Sequence, residues 1–131
     1  MTSRRKLKRL LARRQLLIAP GVFDGLSARL VEEAGFEAIY LSGGAVARSM
    51  GVPDIGLVTM SEVIERAVQV VAAVKIPVIA DADTGYGNAL NLVRAVREFE
   101  RAGVAAIHIE DQVTPKRCGH LEGKTVISLA E

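Results

Sequence analysis

The chain has 131 residues, half of them hydrophobic and 24% charged, a balance that suits one globular domain and excludes a disordered polypeptide. Aromatics make up only 4% and Trp is absent, while Ala, Val, Ile and Leu dominate, which disfavours a β-sandwich and suits buried parallel strands backed by helices. A single cysteine excludes an intrachain disulfide, and no run of about 18 apolar residues is present to span a bilayer, so a cytoplasmic protein with no membrane partner is expected.

The net charge of +2 is unevenly distributed. Seven of the 17 basic residues (Arg4, Arg5, Lys6, Lys8, Arg9, Arg13 and Arg14) precede the first acid, Asp24, leaving 10 basic against 15 acidic residues. A basic start of this kind suits a nucleic-acid patch, a transit peptide or the solvated face of a helix. Leu7, Leu10, Leu11 and Leu17 recur near helical spacing and no aromatic interleaves the charges, which favours an amphipathic helix over 1–15 and no nucleic-acid partner.

From residue 16 strands and helices alternate. Leu16 to Val22 reads as a short strand, Asp24 caps a helix that ends at Gly35, and Glu37 to Leu41 reads as a second strand. A long, glycine-rich loop is expected from Ser42 to Thr59, and loops of that length are usually functional. Ser61 and Glu62 open a helix bearing Val63, Ile64, Ala67, Val70, Val71 and Val74, and Pro77 starts the third strand. A helix over 89–102 with Leu92, Val93, Val96 and Phe99 inside, then a strand over 104–109, completes four βα units.

Polar groups cluster where these strands end. Asp81 and Asp83, followed by Gly85 and Gly87, suit either a hard cation with its waters or the capping of loop amides. Glu110 and Asp111 end the next strand. Cys118 is surrounded by Lys116, Arg117 and His120, cations that favour a thiolate or a proton-transferring thiol, although a small buried side chain is the alternative. His108, inside a strand, reads as a satisfied core residue. Tyr40-Leu41-Ser42-Gly43-Gly44 offers hydroxyls and amides to an oxyanion, but it is neither a P-loop nor a dinucleotide fingerprint.

Taken together, Tyr40-Leu41-Ser42-Gly43-Gly44, Gly51-Val52-Pro53-Asp54-Ile55-Gly56, Asp81-Ala82-Asp83-Thr84-Gly85-Tyr86-Gly87-Asn88 and Lys116-Arg117-Cys118-Gly119-His120 resemble the isocitrate lyase/phosphoenolpyruvate mutase superfamily from about Leu17 to Ser128. The resemblance implies an α/β fold, the N-terminal half of a TIM (β/α)₈ barrel, with the partial barrel over 16–131 preceded by the basic helix. It implies Mg²⁺, with Mn²⁺ possible, on Asp81 and Asp83, and Asp54 and Glu110 acting through water. Ser42, Gly43 and Gly44 would bind a small carboxylate substrate beside Tyr40, and Cys118 would donate a proton with Lys116, Arg117 and His120 in support.

By the same resemblance the parent enzyme is a C–C lyase that cleaves a 2-hydroxy di- or tricarboxylate, of 2-methylisocitrate or dimethylmalate type, to an α-keto acid such as pyruvate plus a carboxylate. The segment from Glu110 to Lys124 also resembles carboxyphosphonoenolpyruvate phosphonomutase, which forms a P–C bond. Four strands are half of what a barrel of about 250 residues uses. A catalytically inactive, truncated remnant is therefore a third reading; the parent is expected to be a homotetramer and the half-barrel to self-associate.

Overall fold

Hydrophobic residues alternate along the strands, and that period of two decides which face is covered. In the computed structural model, which describes residues 1–130, a four-stranded parallel sheet has the order β1-β2-β3-β4, with β1 at Gly21–Val22, β2 at Ile39–Leu41, β3 at Val78–Asp81 and β4 at Ala106–His108. Val22 pairs with Leu41, Ile39 with Val78, Leu41 with Ala80 and Ala80 with Ile107. Val22, Ile39, Leu41, Val78 and Ala80 are buried against the helices. Tyr40, Ile79, Asp81 and His108 occupy the opposite, concave face by alternation.

The covering helices are α2 (Gly25–Glu33), α4 (Met60–Ala73) and α5 (Ala89–Ala102). They contribute Ala28, then Val63, Ala67 and Val70, then Ala95 and Phe99, to one continuous core. Each start has a chemical cause. Asp24 accepts from the Ser27 amide at 2.7 Å, and Asn88 accepts from the amides of Leu90 and Asn91, in both cases as part of a capping box. The cap of α4 is Thr59, two residues before the Ser61 expected from sequence, because Glu62 reaches back to the Thr59 amide at 2.7 Å.

Three further expectations need correction. The region from Ser42 to Thr59 is not all loop: α3 (Gly43–Ser49) forms directly after β2, with the Ser42 hydroxyl accepting from the Ala45 amide, and the Gly-Gly pair hid this helix. Val93 and Val96 are 49% and 41% exposed, so the buried stripe of α5 runs through Ala95 and Phe99 instead. The strands are shorter than their apolar runs because ladder pairing begins only where the register lets neighbours meet.

The basic helix α1 spans Ser3–Leu11, shorter than 1–15, and buries Leu7 and Leu10 while Leu11 is exposed. Its cations reach the strand N-terminal side of the molecule: Arg4 pairs with Glu100, Lys6 donates to the Lys75 carbonyl, and Arg13, just beyond the helix, pairs with Glu37. Among the described residues no helix is long and apolar enough to cross a membrane.

Phe99 is the largest fully buried side chain and stacks on Tyr86 with ring centroids 6.4 Å apart. Phe99→Ala is expected to destabilise the fold by about 3–5 kcal/mol, measured as a fall in the urea unfolding midpoint with an unchanged slope.

Candidate active site at the strand C-terminal ends

The strand register sets the geometry of the site. Asp81 closes β3 directly opposite His108 at the end of β4, so both emerge on the concave face beside Tyr40. The Tyr40 hydroxyl lies 3.0 Å from His108 Nδ1. His108 is exposed and engaged with Tyr40, which corrects its reading as a core residue. The available signal was its place two residues before Glu110, on the same strand face.

Asp81 is fixed by backbone donors. Its Oδ2 accepts from the Gly43 amide at 3.2 Å and its Oδ1 from the Asp83 amide at 3.0 Å. The Ser-Gly-Gly turn permits this approach: a Cβ on Gly43 would lie 2.9 Å from Asp81 Oδ2, and one on Gly44 would lie 2.8 Å from Asp54 Oδ2. Of the residues that the resemblance gives to a substrate carboxylate, Gly43 has its amide engaged by Asp81, and Ser42 caps α3. Asp83 adopts a left-handed φ of 46°, a conformation that Asp tolerates better than most residues and that turns its side chain out of the strand direction.

Lys116 lies at the centre. Its side chain is only 3% exposed, and its Nζ donates to Asp54 Oδ1 at 2.5 Å while standing 2.5 Å from Asp83 Oδ1. The contact with Asp83 is charge against charge, since Asp83 Oδ1 is buried and accepts no directed hydrogen bond. From sequence Lys116 is a cation that serves Cys118; in the fold its ammonium is engaged by the two aspartates.

The electrostatics follow from this crowding. Burial pushes the Asp83 carboxyl above the usual aspartate range, Lys116 pulls it back, and the charges of Asp81 and Asp54 push it up again, with a net rise. Burial also raises Glu110, opposed by Lys116 and reinforced by Asp81, Asp83 and Asp54. For Lys116 burial acts downward, but its contacts with Asp54 and Asp83 outweigh it, and the ammonium is held above the usual lysine range. Tyr40 and Tyr86 are raised by burial first and then by the neighbouring aspartates, so both remain phenols.

The loop after β4 lies over these groups. Gln112 was given no role from sequence, yet its Nε2 donates to Glu110 Oε2 at 2.7 Å and to the Arg117 carbonyl at 2.9 Å, while its Oε1 accepts from the Arg117 amide. The Cys118 amide donates to the Asp54 carbonyl at 3.0 Å. The half-buried Cys118 thiol lies 3.6 Å from His120 Nδ1. Arg117 turns away, donating to the Glu122 carbonyl. A cavity of about 500 Å³ opens on the far side of the Asp83–Lys116 pair, lined by Tyr86, Thr84, Arg94 and the 55–61 segment, and it does not include Ser42 or Cys118.

The sequence profile of the phosphoenolpyruvate phosphomutase family matches residues 7–131. The chain belongs to that family. It thus lies in the isocitrate lyase/phosphoenolpyruvate mutase superfamily, and its parallel sheet matches the N-terminal half of that superfamily's barrel. It is 48% identical to 2,3-dimethylmalate lyase of Eubacterium barkeri, over 100% of this chain and 46% of the relative. With 2-methylisocitrate lyase of Aeropyrum pernix it shares 53% identity over 93% of this chain and 40% of the relative. Among solved structures, phosphonopyruvate hydrolase in complex with oxalate and Mg²⁺ superposes with a TM-score of 0.85 at 40% identity, covering 88% of this chain and 41% of that one. The chain therefore spans less than half the length of these relatives.

The family's residues fit a hard divalent cation. Asp81, Asp83, Asp54 and Glu110 converge from two strand ends and one loop, Asp83 carries a buried oxygen without a hydrogen bond, and a cationic nitrogen already stands between two of them. Among the described residues no group of three or more His, Cys, Asp or Glu side chains is placed to hold a metal ion together. Mg²⁺ does not require one, since it commonly takes one or two carboxylates and keeps several waters.

Removing one partner from a buried ion pair leaves uncompensated charge. Lys116→Met is expected to cost about 3 kcal/mol of stability in chelator-treated protein. Because the folded pKa of Lys116 lies above its unfolded value, its contribution is whole below about pH 10.4 and is lost as the pH rises beyond it. Urea titrations should therefore show a constant gap between wild type and variant from pH 8 to about pH 10, narrowing only above about pH 10.4.

Proposed function

We propose that this chain contributes the metal and proton-donor half of an active site that cleaves a C–C bond in a 2-hydroxy di- or tricarboxylate, of 2,3-dimethylmalate or 2-methylisocitrate type. The products are pyruvate, or a related α-keto acid, and a second carboxylate. The observation that carries this reading is the meeting of Asp54, Asp81, Asp83 and Glu110 beside a loop that carries the Cys118–His120 pair and is tied to Asp54 through the Cys118 amide. It is supported by identities of 48% and 53% to lyases acting on those two substrates.

In this reading Asp81 and Asp83 hold Mg²⁺, with Asp54 and Glu110 acting through its waters. When bound, the ion supplies a positive charge that stabilises the oxygens of the α-keto acid as they become electron-rich. The remaining steps belong to the chain. As the substrate hydroxyl passes its proton to a carboxylate of the cluster, its carbon becomes a carbonyl, and the electron pair of the breaking C–C bond passes to the carbon beside the departing carboxylate. Cys118 delivers a proton to that carbon, with His120 at 3.6 Å to hold and replenish it. Tyr40 stays protonated in its acidic surroundings and orients rather than abstracts, donating toward His108 or a substrate oxygen. Ser42, Gly43 and Gly44 border the substrate carboxylate beside it. Arg117 lies on the loop with its guanidinium directed at Glu122, so its part is to shape that loop.

A second reading is favoured by the family matched, phosphoenolpyruvate phosphomutase: a rearrangement that forms a P–C bond, of the carboxyvinyl-carboxyphosphonate phosphorylmutase kind, at the same carboxylates. Two assays separate the readings. With the full-length protein and Mg²⁺, pyruvate release from 2,3-dimethylmalate or 2-methylisocitrate is expected, with kcat in Cys118→Ser lower by 100-fold or more, of the order of general-acid catalysis, ~10²–10⁴. Phosphonate formation seen by ³¹P NMR, with no pyruvate released, would establish the second reading instead. Absence of both in the full-length protein would leave an inactive remnant.

A further inference from the structure

The loop after β4 is fastened at its base and again at its middle. An antiparallel bridge pairs Gln112 with Val126, and beside it the Val113 amide donates to the Thr125 carbonyl and the Ile127 amide to the Asp111 carbonyl, both at 2.9 Å. Between those legs, three consecutive residues are each held. Lys116 is held by its ammonium on Asp54 and Asp83, Cys118 by its amide on the Asp54 carbonyl, and Arg117 by the Gln112 side chain. That side chain meets both the N–H and the C=O of Arg117 at 2.9 Å, as the peptide group of a neighbouring strand would, and its other N–H reaches Glu110 Oε2 at 2.7 Å. The amide works in this orientation alone, because its reverse sets Oε1 against a carboxylate and a carbonyl oxygen, and an NH₂ against an amide N–H.

From this geometry we infer that Gln112 is a positioning residue for proton delivery: it locks the segment that carries the Cys118 thiol to Glu110, and so fixes where the thiol stands relative to the carboxylate rim. The inference rests on the proton-donor reading of Cys118 proposed above. Gln112 acts through the Arg117 backbone, one peptide away from Cys118, while the ties to Asp54 fix the same segment from its other side. A neutral amide is the chemistry this position needs. The Glu110 carboxylate only accepts, and its charge opposes the Arg117 carbonyl; the amide set between them turns that repulsion into two donated bonds, of which the one to the carboxylate is the stronger. The catalytic consequence follows from distance, since misplacing a reacting group by about 1 Å costs ~10²-fold in rate.

Gln112→Met keeps the length of the side chain and removes all three of its hydrogen bonds, and Gln112 lies outside the hydrophobic core, so the fold does not depend on it. The test compares this variant with wild type as full-length proteins with Mg²⁺ present. Alkylation by iodoacetamide, followed at the Cys118 peptide by mass spectrometry, is expected to be about fivefold or more faster in the variant, because release of the segment exposes the half-buried thiol. Hydrogen exchange at the Cys118 amide is expected to quicken while exchange in β3 stays unchanged, which separates loss of the lock from a general loss of stability. For pyruvate release from 2,3-dimethylmalate or 2-methylisocitrate, kcat is expected to fall about tenfold or more with KM within about twofold, the split that a misplaced proton donor produces. Equal alkylation and exchange in the two proteins overturns the lock, and pyruvate release by wild type then leaves the proton-donor reading intact. Faster alkylation with an unchanged kcat overturns the positioning role. No pyruvate released by wild type overturns the proton-donor reading, and the positioning role with it, while the alkylation and exchange rates still decide whether Gln112 holds the loop.

Discussion

Charge repulsion among the carboxylates at the strand ends is the constraint to which the rest of the site responds. Like charges ~4 Å apart repel by ~4 kcal/mol at an effective dielectric of ~20. A fold that gathers Asp54, Asp81, Asp83 and Glu110 must therefore supply positive charge or directed donors, and it supplies both. Two backbone amides fix Asp81, one ammonium stands between Asp54 and Asp83, and an amide side chain holds Glu110. The Gly-Gly turn after β2, the left-handed turn at Asp83 and the fold-back of the loop after β4 are the backbone solutions that bring those donors into range.

The fold was legible where periodicity and caps agree. The apolar pattern marked α5 over 89–102 residue for residue, and Asp24 marked α2. Legibility failed where a local signal was ambiguous. The Ser42-Gly43-Gly44 run reads as loop because glycine is a poor helix former, yet the Ser42 cap and the apolar Val46 and Ala47 behind it suffice for two turns. Val93 and Val96 read as core because a helical apolar face does not say which part of it the sheet will cover.

The candidate site was legible by residue type but not by partnership. Paired carboxylates at a strand end and a cysteine among cations announced themselves. That Lys116 would turn toward Asp54, 62 positions away, rather than toward the thiol two residues on, is a long-range outcome no local pattern encodes. His108 was misplaced for a related reason: a strand histidine is core or site according to which face its neighbours cover, and only the pairing of β4 with β3 decides that. Gln112 passed unnoticed because an amide side chain carries no charge signature, although it makes three hydrogen bonds here.

The basic helix α1 has a mechanical meaning. Contacts from this N-terminal segment reach Glu100 near the end of α5, Lys75 just ahead of β3 and Glu37 just ahead of β2, while Leu7 and Leu10 anchor it from within. It is a tie-bar across the base of a curved sheet. A sheet free to flatten would splay the opposite rim, and the distance from Tyr40 to His108, set across one intervening strand, would open with it. Charges that look like a tract for an external polyanion thus brace, at the far end of the strands, the curvature on which the acidic rim depends.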